Sequence, residues 1–251
     1  MNRTFGRFTI SLGTLLILVA GCGGAWAQEQ APEQEQDQAP QTEFYFKRLA
    51  VAPVLAGHRT PNMDETLDDT LSCTISQICV DDPAIGPQAG PMLTRLVQSV
   101  LRSRFGTNIV PSEDVQTAYT ALRLNESKDT PRSLADRLGK MLNADLIVVG
   151  TVWRYRDRGA IQGFPDKPAS VAFALYLVDP GSGRQLWRRI FDETQEYALK
   201  DMSKFTDRIK MGLKWLSSDE LARYGVKQTL EAFPDYIIPV TENGSQGKAV
   251  P

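Results

Sequence analysis

Residues 144–158 read "ADLIVVGTVWRYRDR" and residues 170–195 read "SVAFALYLVDPGSGRQLWRRIFDETQ". Together they decide the fold. The uninterrupted apolar run from Leu146 to Val149 is the pattern of a strand buried on both faces. From Trp153 the pattern alternates, which predicts Trp153 and Tyr155 on one side and Arg154, Arg156 and Arg158 on the other. In the second stretch, Asp179-Pro180-Gly181-Ser182-Gly183 supplies the turn geometry of a longer hairpin loop between two strands. A central strand is thus followed by an antiparallel hairpin.

The flanking segments are mostly helical. Over 90–106, "GPMLTRLVQSVLRSRFG", Pro91 suits the first helical position and Gly106 the position just past the end. Leu93, Leu96, Val97, Val100 and Leu101 recur at spacings of three and four, so they form one apolar stripe. "NIVP" at 108–111 is short and strand-like. Ser112 is placed to cap a second helix, with Glu113 and Asp114 in its first turn where the helix dipole favours acids. Thr130-Pro131 opens a third, with Leu134, Leu138, Met141 and Leu142 on one face. Upstream, "FYFKRLAVAPVL" at 44–55 reads as a first strand ending near Pro53, and 56–90 as a long loop with little periodicity. Downstream, Phe205, Ile209, Leu213 and Leu216 share a helical face. Ser217-x-x-Glu220 forms a capping box for a short helix closed by Gly225. The expected fold is α/β: a single mixed β-sheet of about four to five strands flanked by helices.

The amino terminus is built for export. Arg3 and Arg7 precede a short apolar run, Leu12 to Val19, closed by small residues. That run is shorter than the roughly 20 residues of a membrane-spanning helix. Two processing signals then overlap. Val19-Ala20-Gly21-Cys22 resembles a lipobox, in which Cys22 is lipidated and becomes the first residue; Ala25-Trp26-Ala27 resembles a site for ordinary secretory cleavage. Lipidation is the reading adopted, with a soluble periplasmic or secreted form after cleavage at Ala27 as the alternative. Gly23, not Asp, follows the cysteine, which by resemblance to bacterial sorting rules implies the periplasmic face of the outer membrane. The next segment, 28–43, has no aromatic or branched aliphatic residue and reads as a disordered tether. Such a tether has a span of roughly 20–25 Å.

The expected organisation is therefore a signal peptide over 1–21, a lipid anchor and linker over 22–43, one α/β domain over 44–239 with the long loop 56–90, and a polar tail over 240–251. The chain of 251 residues carries a formal net charge of −2, and loss of Arg3 and Arg7 with the leader brings it to −4. Neither value marks a nucleic-acid-binding protein.

"SLADRLGKMLNADLIVVGTVWRYRD" together with the 170–195 stretch resembles bacterial lipoproteins of the curli-secretion-channel and penicillin-binding-protein-activator type. The amino-terminal domain of the Tol-system β-propeller protein shares that fold. "KWLSSDELARYG" is similar to a small group of uncharacterised proteobacterial lipoproteins of the same build. The likeness covers roughly 44–230, and its specific part is 133–195. It implies an envelope location and work through protein contacts, and these residues fix strand starts and a turn, not a chemistry. The long alternating hairpins of a pore are not evident.

Candidate chemistry is sparse. The single histidine, His58, lies in the long loop without a nucleophile motif. Ser182 in "GSG" punctuates the hairpin. The acids Asp64, Glu65, Asp68, Asp69, Asp81 and Asp82 do not follow calcium-loop spacing, so no metal and no cofactor is expected, and no enzymatic activity. Cys73 and Cys79 lack further metal ligands and are expected to form a disulfide worth roughly 2 kcal/mol. Arg154, Arg156 and Arg158, with Arg184, Arg188 and Arg189 on the hairpin, are the candidate partner-binding surface, because guanidinium groups suit phosphate and carboxylate recognition. The competing use of such charges is a solvated strand that resists aggregation. The expected role is a non-catalytic protein-binding or assembly component of the cell envelope. A self-assembling, homo-oligomeric accessory lipoprotein is the alternative.

Overall fold

A computed structural model describes residues 43–57, 70–79, 85–159, 168–194 and 216–240. Cys22, His58, the acids of 64–69 and 81–82, the Phe205–Ile209–Leu213 stripe and the tail lie outside them.

The elements run β1 (Phe44–Phe46), β2 (Leu49–Val51), β3 (Leu55–Ala56), α1 (Ile75–Ile78), α2 (Ala89–Phe105), α3 (Ser112–Ala121), α4 (Pro131–Leu142), β4 (Leu146–Arg156), β5 (Ser170–Val178), β6 (Gln185–Thr194), α5 (Ser218–Glu231) and β7 (Ile237–Pro239). The main sheet has the order β2-β4-β5-β6, with β3 also pairing β4. β2 and β3 run parallel to β4, whereas β5 and β6 are antiparallel. The protein is α/β, with one mixed five-stranded sheet between helices.

Two cores lie on the two sides of the sheet. Leu146, Val148 and Val152 of β4, with Val171, Phe173, Leu175 and Leu177 of β5, meet α2 and α5. Ile147, Val149, Ala174, Tyr176 and Val178 meet α3 and α4. β4 is buried on both faces because helices cover both.

The predicted first strand, 44–55, is instead three short ones. β1 leaves the main sheet to pair in parallel with β7. The break after Phe46 is fixed by Asp145, whose carboxylate accepts from the backbone N–H of Lys47 at 2.7 Å and of Arg48 at 3.0 Å. The Ala-Asp before the buried strand is therefore a clamp for an earlier turn. β2 and β3 are split around Pro53, which has no N–H to give a ladder. The stretch at 108–111 contributes a single parallel bridge, Ile109 to Leu49.

The helices follow the periodicity with local differences. α2 begins at Ala89, so Pro91 sits in the first turn and not at its opening residue; Gly106 ends the helix at φ 55°. Pro111, not Ser112, holds the cap position of α3. α4 carries the Thr130–Ser133 capping box with Pro131 inside it, and Asn143 closes it in the left-handed conformation. Its buried stripe passes through Ala135 and Gly139, where Pro180 packs, which leaves Met141 half-exposed at the rim. α5 has the Ser217–Glu220 capping box but does not stop at Gly225. The helix runs on to Glu231, and Gly225 lies against the Phe191 ring.

The long loop 56–90 is partly structured. A 3-10 turn at Thr70–Ser72 and the single turn of α1 lie within it. Leu71 enters the α3/α4-side core, and Ile75 and Ile78 close over Leu55. Backbone N–H groups of Ile75 and Ser76 donate to the carbonyls of Asp129 and Glu126, so this segment is stitched to the α3–α4 connection.

Candidate functional site

The arginines expected to converge do not all meet. β5 lies between β4 and β6, so two strand spacings of about 4.8 Å separate the two groups. Arg156 is level with Ser170 and Thr194 at one end of the sheet. Arg184 follows the hairpin turn at the other end, about 30 Å away along the strand, where its carbonyl accepts from Asp179 N–H. Arg188 faces the α3/α4 side opposite Tyr176. Arg189 faces the other side opposite Leu175.

A bulge rearranges β4 itself. The register with β5 shifts between Val152 and Arg154, and Trp153 is the extra residue. Trp153 therefore joins the α3/α4-side core while Tyr155 joins the α2/α5-side core. The predicted shared side for Trp153 and Tyr155 is overturned. Trp153 instead shares its side with Arg154 and Arg156. Trp153, Trp187 and Tyr176 are all buried.

What the fold does gather is Arg154 and Arg156 on one face at the end of β4, with Arg158 exposed in the turn beyond. Arg154 and Asp192 are both in register with Ala172 and form an ion pair across β5. The Nε atoms of Arg154 and Arg156 are both shut off from solvent and have no hydrogen-bond partner. A desolvated charged donor without an acceptor costs free energy until one arrives. The Nε edge of a guanidinium is also a natural seat for a carboxylate.

The opposite face at this end is acidic. Asp157 accepts from Ser218 N–H at 2.8 Å, and Asp219 accepts from the Tyr155 hydroxyl. Burial first, then Asp219, hold the Tyr155 phenol well above the usual tyrosine range. The sheet end is thus basic on the α3/α4 side and acidic on the α5 side. Asp192, Asp157 and Asp219 were not singled out in the sequence. A straight count outward from the hairpin turn would have set Phe191 opposite Ala172; the bulge at Leu186 moves Asp192 there instead. The other two needed the position of α5.

Cys73 and Cys79 lie half-buried at the two ends of α1, packed with Leu55, Ile75, Ile78 and Leu124. They are thiols in this structure, rather than the expected disulfide. Burial, reinforced by Glu126 and partly offset by a hydrogen bond to the Ala56 backbone, pushes the Cys79 thiol up to about 11. At neutral pH it is protonated and a weak nucleophile.

Ser182 donates its hydroxyl to Asp179, which also accepts from Gly181 N–H. This is turn geometry, as read from the sequence. Among the described residues no group of three or more metal-ligating side chains assembles, and no helix is long and apolar enough to cross a membrane.

No protein-family model matches the chain, and no curated protein matches it. Solved structures with a similar course include a PelC dodecamer from Paraburkholderia phytofirmans, at 14% identity and a TM-score of 0.36, covering 73% of this chain and 84% of that one. Lipoprotein GNA1162 from Neisseria meningitidis is 13% identical with a TM-score of 0.36, over 67% of this chain and 99% of that one. LpoB from E. coli is 11% identical with a TM-score of 0.34, over 74% and 84%. At such identities and scores these likenesses carry no functional argument.

Proposed function

We propose that this chain is a lipoprotein anchored through Cys22 to the periplasmic face of the outer membrane, and that its domain is a non-catalytic binding or assembly component of the envelope. The partner docks an acidic stretch on the arginine-bearing end of β4. The observation that carries this reading is the pair of desolvated Nε donors of Arg154 and Arg156 on one face, neither with a hydrogen-bond partner, beside the Arg154–Asp192 ion pair. Two guanidinium groups on that face, of which Arg154 is paired to Asp192, leave capacity for another acidic group. Arg158 extends the same basic end. Arg184, Arg188 and Arg189 lie elsewhere on the hairpin and are not part of this surface.

The experiment is crosslinking in cells of the tagged full-length protein, with mass spectrometry of the captured protein and of the chain's own amino terminus. A lipidated Cys22, together with one dominant envelope protein whose capture is lost on changing Arg154, Arg156 and Arg158 to Ser, is the expected result. Capture unchanged by those substitutions overturns the docking surface. A terminus at Gln28 overturns the anchor.

A further inference from the structure

The outer side of β6 is the open edge of the main sheet: among the described residues no strand pairs with it there. Long edges are usually blunted by proline, bulges or a run of one charge, because they template pairing with another chain. This edge is bulged at Leu186, near its start, but from Trp187 to Thr194 it runs in unbroken register with β5 and carries charges of both signs. From Arg188 it reads Arg188-Arg189-Ile190-Phe191-Asp192-Glu193, two bases, two apolar residues and two acids. Laid antiparallel against itself, such a sequence sets base against acid.

A two-fold axis between side-by-side antiparallel strands must pass opposite a single residue, so only a few registers are open. An axis at Arg188 or at Asp192 sets like charges directly opposite, which destabilises a pair. An axis at Phe191 places Ile190 against a charged Asp192. It also spends the central position on a ring that is already buried and stacked on Phe173. An axis at Ile190 sets no like charges opposite and keeps the buried ring off the centre; its one mismatch is Arg189 opposite the partner's Phe191, where a guanidinium on an aromatic ring is better tolerated than a carboxylate on Ile190. Ile190 is half-buried, packed at the rim of the α3/α4-side core, and gains burial from its own copy. Arg188 and Asp192 lie on that same face, opposite Tyr176 and Ala172. Asp192 remains 44% exposed while paired to Arg154, so it can accept from a second guanidinium.

We propose that two copies of this chain associate by antiparallel pairing of β6 about a two-fold axis at Ile190, with Arg188 opposite the partner's Asp192 and Asp192 opposite the partner's Arg188. The contact continues the sheet across the dimer. Its start is limited by Tyr236, whose hydroxyl already donates to the Leu186 carbonyl at 2.8 Å. The overlap is therefore short and the association is concentration-dependent, below the size of a permanent interface. This inference rests on the β6 edge and stands whether or not the arginine end of β4 receives a partner.

The test is sedimentation of the full chain, purified as processed, from about 1 to about 300 µM. The wild type is expected to show a reversible monomer–dimer equilibrium. Arg188→Asp and Asp192→Arg, each alone, set like charges opposite at both symmetry-related positions and weaken the dimer by about tenfold or more. The double variant R188D/D192R restores opposite charges and returns the constant to within about threefold. Loss of the Arg154 contact in Asp192→Arg acts within one chain, so it moves the thermal melt and not the concentration dependence. A wild type that stays monomeric over the whole range overturns the proposal. So does a dimer indifferent to the single changes, or a double variant as weak as the singles.

Discussion

Gly225 of α5 lies on the ring of Phe191 in β6, so close that a Cβ at 225 would stand 2.6 Å from two ring carbons. The ring cannot retreat, because it is stacked on Phe173 at 5.3 Å between centroids and is nearly fully buried. The glycine thus sets the distance between helix and sheet.

Gly225→Ala is expected to destabilise the protein although alanine is the better helix former. Overpacking costs about 1–3 kcal/mol, against roughly 1 kcal/mol returned by helix propensity. A net loss of about 1 kcal/mol in urea unfolding checks it. An unchanged or raised midpoint would mean that α5 is free to lift off the sheet.

Asp129 ties the α3–α4 connection together. Its carboxylate accepts from Asn125 N–H at 2.7 Å and pairs with Arg137 at 2.8 Å. The Asn125 hydrogen bond foremost, with Arg137 assisting, holds it below its ordinary value of 3.8. A depressed carboxyl contributes stability that is present above its unfolded value and lost as pH falls through the folded one. Stability should therefore decline below pH 3.8, and Asp129→Asn should flatten that decline while costing about 1–2 kcal/mol at neutral pH. Acid titrations of both proteins, followed by circular dichroism, read the difference.

The raised Cys79 thiol gives the opposite sign. Its contribution is present below the ordinary 9.0 and lost as pH rises toward about 11. At pH 8 its thiolate fraction is roughly a hundredfold below that of an ordinary cysteine. Alkylation of the native protein at Cys79, followed by peptide mass spectrometry, should be slower by that order. Fast labelling at pH 8 would show that α1 opens readily from Leu55.

The Arg154–Asp192 pair is partly exposed, at 24% and 44% of the two side chains. Such pairs add little stability, so Asp192→Asn is expected to change unfolding free energy by less than about 1 kcal/mol. Removing Asp145 should cost more, about 1–2 kcal/mol in Asp145→Ala, because two backbone N–H groups lose their acceptor. Parallel denaturant melts would rank the two.

Whatever is local in this protein is legible in its residues. The apolar stripe of α2, the caps at Thr130 and Ser217, and the Asp179 turn with its two strands each depend on residues within a few positions of one another. The fold class follows from their order. The meeting of long-range partners is settled only by the assembled fold. β5 lies between β4 and β6 and parts the arginines, a bulge at Trp153 carries that ring to the opposite core, and β1 abandons the sheet for β7, nearly two hundred residues on in sequence. Each of these outcomes hangs on a neighbour that periodicity cannot name. Gly225 shows the same limit in one residue: a glycine late in a helix pattern reads as a stop, and only the ring beneath it reveals that it permits close packing.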